Sequence, residues 1–149
     1  MKSQRQIIFE KFKGKCAYCG CEIHNGRMSK PNIQRMEIEH IIPKERFFRN
    51  MHNGFHIPDF LRHLTPDDVE HIDNKFPSCR TCNRYKHTLT LEDFRRELSK
   101  QLERAKTDSF NFRMALKYKQ VIEQPKPIVF YFETQTFTLS NGVKWNKAI

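Results

Sequence analysis

Cys79-Arg80-Thr81-Cys82-Asn83-Arg84-Tyr85-Lys86-His87 joins a Cys-x-x-Cys pair to a helix-forming run, with Asn83 and His87 at i, i+4 behind the second cysteine. A second pair, Cys16-Ala17-Tyr18-Cys19, stands far upstream, and the dipeptide Glu39-His40 lies between the two. Paired cysteines at this spacing read as metal ligands. Cys16, Cys19, Cys79 and Cys82 together make a closed tetrahedral Zn2+ site, which holds a fold and leaves no open position for chemistry. The long gap between the pairs means the site ties distant segments together, setting the first knuckle beside the helix that follows the second. Cys21, the fifth cysteine, reads as an inert free thiol, and the odd count argues against a disulfide framework.

The 149 residues fit one domain with a modest core. Only 38% are hydrophobic and 30% are charged, so apolar burial alone leaves a thin margin that a structural metal would widen. Thirteen phenylalanines should dominate the core. The net charge of +10 is unevenly placed: basic flanks, 1–35 and 75–149, surround an acidic centre, 36–74. Basic flanks suit a polyanion and a local excess of carboxylates suits a cation. No stretch has the length and apolarity of a secretion signal or a membrane span, so a reducing cytoplasm is the expected compartment and no membrane partner is expected.

Local signals divide the chain. Ser3 caps a helix with Ile7, Ile8 and Phe12 on one face, ended by Gly14. Met36–Ile42 alternates as a strand, Met36 and Ile38 against Glu37 and Glu39, and Pro43 stops it. Residues 44–71 hold one or two short helices, with Thr65-Pro66-Asp67-Asp68 as a helix start. A helix leaves the second knuckle over 80–87, and Thr90 caps another with Leu91, Phe94, Leu98 and Leu102 on its apolar face. A third helix is expected over 108–122. Strands follow at 128–134, 137–139 and 143–145, the last two forming a hairpin at Asn141-Gly142.

Asn83 and His87 share a helix face, as paired metal ligands must, and Glu39-His40 ends a strand that the knuckles could bring alongside. The runs Cys16-Ala17-Tyr18-Cys19-Gly20, Ile38-Glu39-His40-Ile41-Ile42-Pro43, Asp73-Asn74 and Cys79–Lys86 resemble the HNH endonucleases over residues 14–90. The resemblance implies an α+β fold: a ββα-metal core with a four-cysteine zinc site, flanking helices and a small C-terminal β segment. Residues 1–106 would form the nuclease domain, and 107–149 a helix and β-hairpin extending the same compact unit.

Carried over residue by residue, the resemblance makes His40 the general base and Asn74 the asparagine whose carbonyl orients it. Asn53 competes for that role, and Asn74 is preferred for its spacing from Asn83. Glu39, Asn83 and His87 would hold a catalytic Mg2+ or Mn2+, the imidazole widening tolerance toward Co2+ or Ni2+. The implied reaction is hydrolysis of DNA phosphodiester bonds to 5′-phosphate and 3′-hydroxyl ends. Arg80, Arg84, Lys86, Arg95 and Arg96 are the candidates for phosphate contacts. One such site cuts one strand, so clean double-strand breaks would call for a homodimer or for sequential nicks. The rival reading is a non-catalytic zinc module that binds nucleic acid or a protein partner; it needs neither Glu39-His40 nor the Asn83/His87 pair.

Overall fold

Ser3 caps α1 (Gln4–Glu10) in the computed structural model, which describes residues 1–147, its hydroxyl accepting from Gln6 N at 3.1 Å. Ile8 and Phe12 are buried while Ile7 is exposed, so the expected face narrows to two members. Gly14, at φ +78°, returns its N–H to Phe9 O and turns the chain into the first knuckle, where a left-handed residue is needed. The arch that follows pairs β1 (Ile23–His24) with β2 (Gln34–Arg35) in parallel.

The centre is an antiparallel pair and a helix. β3 (Glu37–His40) runs against β4 (Lys75–Ser78) in the register Glu37↔Ser78, Ile38↔Pro77, Glu39↔Phe76, His40↔Lys75. β4 passes directly through Cys79 into α3 (Arg80–Lys86), which packs on β3. Between the strands lies α2 (Lys44–Asn53), closed by Gly54 at φ +65°. The helix start expected at Thr65 does not develop. Asp68 reaches back to take both the Thr65 N–H and its hydroxyl, at 2.8 and 3.0 Å, and closes a turn. Short 3₁₀ turns at Asp59–Leu61 and Ile72–Asn74 complete this segment.

Thr90 caps α4 (Leu91–Ser99) as expected, accepting from Asp93 N. The helix breaks at Lys100, so Leu102 falls on a separate α5 (Gln101–Asp108), and the helix expected over 108–122 forms as the shorter α6 (Phe110–Lys117), capped by Ser109. Neither has a buried residue; they pack on each other and, through α5, on α4. The strand expected over 128–134 is an extended run ending in a 3₁₀ turn at Tyr131–Thr134. Its backbone donors are used elsewhere: Tyr131 N and Phe132 N bond Tyr18 O and Ala17 O at 2.9 and 2.8 Å, covering the first knuckle. The hairpin forms, pairing β5 (Phe137–Thr138) with β6 (Lys144–Trp145).

Rings from all these parts meet in one core. Phe76 on β4 stands 5.2 Å from Phe12 and 4.9 Å from Phe132, and Tyr18 stands 5.3 Å from Phe130, mostly edge to face or tilted. The C-terminal segment is therefore part of the core that carries β3 and β4.

Candidate functional site

Two tight turns bring the cysteines together. In the first, Gly20 N returns to Cys16 O and Cys16 N to Cys21 O; in the second, the Cys79 sulfur accepts from Cys82 N at 3.4 Å. The four Sγ atoms of Cys16, Cys19, Cys79 and Cys82 lie within 4.8 Å of one another, with Cys19 and Cys79 at 3.9 Å. A tetrahedral ion with Zn–S arms of about 2.3 Å needs sulfurs about 3.8 Å apart, so the donor set is compatible with a structural zinc. Hydrogen bonds among the four sulfurs lower the Cys19 pKa and raise those of Cys79 and Cys82. Cys21 lies beside this four-sulfur set without belonging to it, its thiol pushed up to about 12 by burial and by Cys19. Gly20 is needed in this turn, because a Cβ there would meet the Tyr131 ring at 2.8 Å.

One open cavity of about 380 Å³ lies where β3, the start of α2 and the end of α3 meet, lined by Glu39, His40, Lys44, Asn83, Arg84 and His87 among others. His40 Nε2 stands 3.2 Å from Glu70 Oε1. Lys44 and Lys75, with a smaller contribution from His40, hold the Glu70 carboxyl down to about 2. An ionised carboxylate can only accept, so the imidazole proton belongs on Nε2 and the lone pair on Nδ1. Burial pulls the His40 pKa below its ordinary value, against an opposing pull from Glu70.

Asn74 is fully buried and does not hold the imidazole. Its Oδ1 accepts from Ile42 N at 2.9 Å, and its Nδ2 donates to Ile42 O and Val69 O at 3.1 and 3.0 Å. It clamps the backbone just after His40, while Glu70 occupies the position expected of it. Asn53 lies exposed at the end of α2.

The carboxylate of Glu39 is 3% exposed and turned inward. Lys86 Nζ donates to its Oε1 at 2.5 Å, and the Tyr18 hydroxyl donates to its Oε2. The other Lys86 protons go to His40 O and Ile41 O at 3.1 and 3.0 Å. Burial pushes the Glu39 pKa up and the Lys86 pKa down, each opposed by the attraction of its partner. Lys86, fully buried, therefore presents no charge to a phosphate, and that expectation is corrected. Arg95 is also withdrawn: it lies 4.6 Å over the Phe130 ring and donates to Ile128 O and Glu133. Arg80 and Arg84 are exposed, and Arg96 is exposed but paired with Asp93.

Asn83 reaches the cavity wall while its Nδ2 donates to Glu37 Oε2 at 2.5 Å. His87, at the cavity rim, ends α3 at φ +46°, ψ −117°, a conformation that suits glycine and strains any other residue. Glu70, Tyr18 and Glu37 are the members of this site that local reading missed, and Lys86 was assigned the wrong partner. One signal was available: Lys86 is i+3 from Asn83 and so shares its inward face.

No protein-family model, curated protein or solved structure matches the chain. Among the described residues no helix is long and apolar enough to cross a membrane.

Two substitutions test this construction. Cys79→Ser should lower both bound zinc, counted by elemental analysis, and folded structure, followed by circular dichroism; well-folded wild-type protein without zinc would remove the metal from the account. Lys86→Met strands a buried carboxylate and should lower unfolding free energy in urea by about 3–5 kcal/mol, with Glu39→Leu added to it recovering much of the loss.

Proposed function

We propose that this protein is a divalent-metal-dependent endonuclease of the HNH type, hydrolysing DNA phosphodiester bonds with His40 as general base and holding a structural Zn2+ in its four-cysteine cluster. The observation that carries this reading is the setting of His40. Its ring is partly buried at the wall of an open cavity, neutral in tendency, and fixed through Nε2 by the ionised Glu70. That leaves Nδ1 to take a proton.

In the proposed reaction His40 Nδ1 accepts a proton from water as the water oxygen bonds to phosphorus and the bond to the 3′ oxygen breaks. The leaving oxygen takes a proton from solvent, giving 5′-phosphate and 3′-hydroxyl ends. Lys44 and Arg84 bring positive charge to the same cavity and favour the phosphate there. Exposed Arg80 extends that charge along α3. DNA, rather than a membrane or an acidic metabolite, suits an open cavity on a chain of net charge +10.

The catalytic cation fits this chain unevenly. Asn83 and His87 would hold Mg2+ or Mn2+ at the cavity, with Co2+ or Ni2+ tolerated through the imidazole. Glu39 fits only by exchanging the Lys86 ammonium and the Tyr18 hydroxyl for the ion. When bound, such an ion supplies Lewis-acid stabilisation of the charge that grows on the phosphate. The strain at His87 supports a functional reason for a histidine where glycine would sit more comfortably.

Nicking of supercoiled plasmid in the presence of Mg2+ or Mn2+ is the direct test. His40→Ala should reduce it at least about a hundredfold with zinc content unchanged; equal rates would reject His40, and inactivity of the wild type with every divalent ion would reject the reading. The rate should fall as pH drops through the depressed His40 pKa, because the protonated ring cannot accept. Glu70→Gln removes an interaction that raises that pKa, so the acid limb should move to lower pH; an unmoved limb would assign it to another group.

His87→Gly separates strain from function. It should raise unfolding free energy by about 1–3 kcal/mol while raising the Mg2+ concentration needed for half-maximal nicking, the first because glycine relieves the positive φ and the second because the imidazole is gone. Unchanged metal dependence would leave the histidine without a role in binding the ion.

A further inference from the structure

A second convergence of ligand-type side chains lies away from the His40 cavity. His63, His71 and Asp73 each bring one donor atom to within 4.8 Å of the other two. His63 Nε2 stands 2.8 Å from Asp73 Oδ2, and His71 Nδ1 stands 3.7 Å from the same oxygen. Tetrahedral coordination with arms of about 2.0–2.1 Å separates donor atoms by about 3.3 Å, so the two distances straddle what an ion requires. The carboxylate is 2% exposed and the imidazoles 33% and 32%, a setting closed behind and open in front.

The carboxylate is also held from outside. Ser140 donates its N–H to Asp73 Oδ1 at 2.9 Å and its hydroxyl to Oδ2 at 2.7 Å. Such outer partners fix the orientation of a ligating carboxylate. We infer that His63, His71 and Asp73 form a further metal site, separate from the cysteine cluster and the His40 cavity and selective for Zn2+ and similar borderline ions, with three protein ligands and one position open to water or an outside ligand. Binding exchanges the His63–Asp73 hydrogen bond, and the one that His71 Nδ1 accepts from Asp73 N at 3.1 Å, for coordination. None of the three lines the His40 cavity, but Glu70 precedes His71 and Asn74 follows Asp73 in the chain. The ion therefore fastens the segment that holds His40 to the C-terminal hairpin through Ser140.

The test is elemental analysis of the full chain after dialysis against zinc-buffered solution. Wild type should carry one zinc more than His63→Ala or His71→Ala, and His63→Gln, a milder change at an exposed position, should lose the same equivalent. Retention of the cysteine-bound zinc in each variant reports that it is folded. Cobalt titration adds a spectroscopic check: the equivalent lost in the variants should show ligand-field bands without thiolate charge transfer. Equal zinc content in wild type and all three variants would overturn the site. The measurement does not involve nuclease activity, so it stands or falls apart from the proposed function.

Discussion

Four sulfurs drawn within 4.8 Å of one another impose the geometry on which the other contacts depend. The constraint joins segments 60 residues apart, Cys19 to Cys79, and sets the first knuckle against the entry to α3. Once α3 is placed, β3 has both a strand partner and a helix to pack on, and Tyr18 beside the knuckle reaches the Glu39 carboxylate. A closed cysteine cluster of this kind does no chemistry itself. It brings Asn83 and His87 into the cavity that already holds His40.

Within that frame the polar interior is arranged so that few groups are unpaired. Lys86 gives its protons to Glu39 Oε1, His40 O and Ile41 O, closing the end of β3 against α3. Asn74 does the same for Ile42 from the turn before β4. These two side chains grip the backbone on either side of Ile41, so His40 sits on a segment with little freedom to shift. Under the proposed reaction, preorganisation of this sort would keep His40 in reach of a proton without an ordering cost at each turnover.

Features written in neighbouring residues were legible: the cysteine spacing, the caps at Ser3 and Thr90, the hairpin at Asn141-Gly142, and the strand expected over 36–42, which forms over Glu37–His40. What failed was decided by partners far along the chain. Glu39 looked outward-facing from its alternation with Ile38, yet Lys86, 47 residues on, draws it inward. Glu70 takes the part expected of Asn74 because the imidazole meets the loop before β4, whose path no local pattern encodes. The strand expected near residue 130 has the right composition, but its donors are claimed by Tyr18 and Ala17. Periodicity reports which residues share a face; it does not report what that face will meet.

The backbone bonds from Tyr131 and Phe132 to the first knuckle carry one more consequence, in the order of assembly. Bonds here join distant segments, from Tyr18 to Glu39, from Glu39 to Lys86, and from Ala17 to Phe132. Contacts of such sequence separation form late in folding, since loop closure must precede the interactions that reward it. During synthesis the knuckle stays uncovered until residues 130–132 have left the ribosome. The cover of the first knuckle is therefore added only after β3, β4 and α3 have all been made.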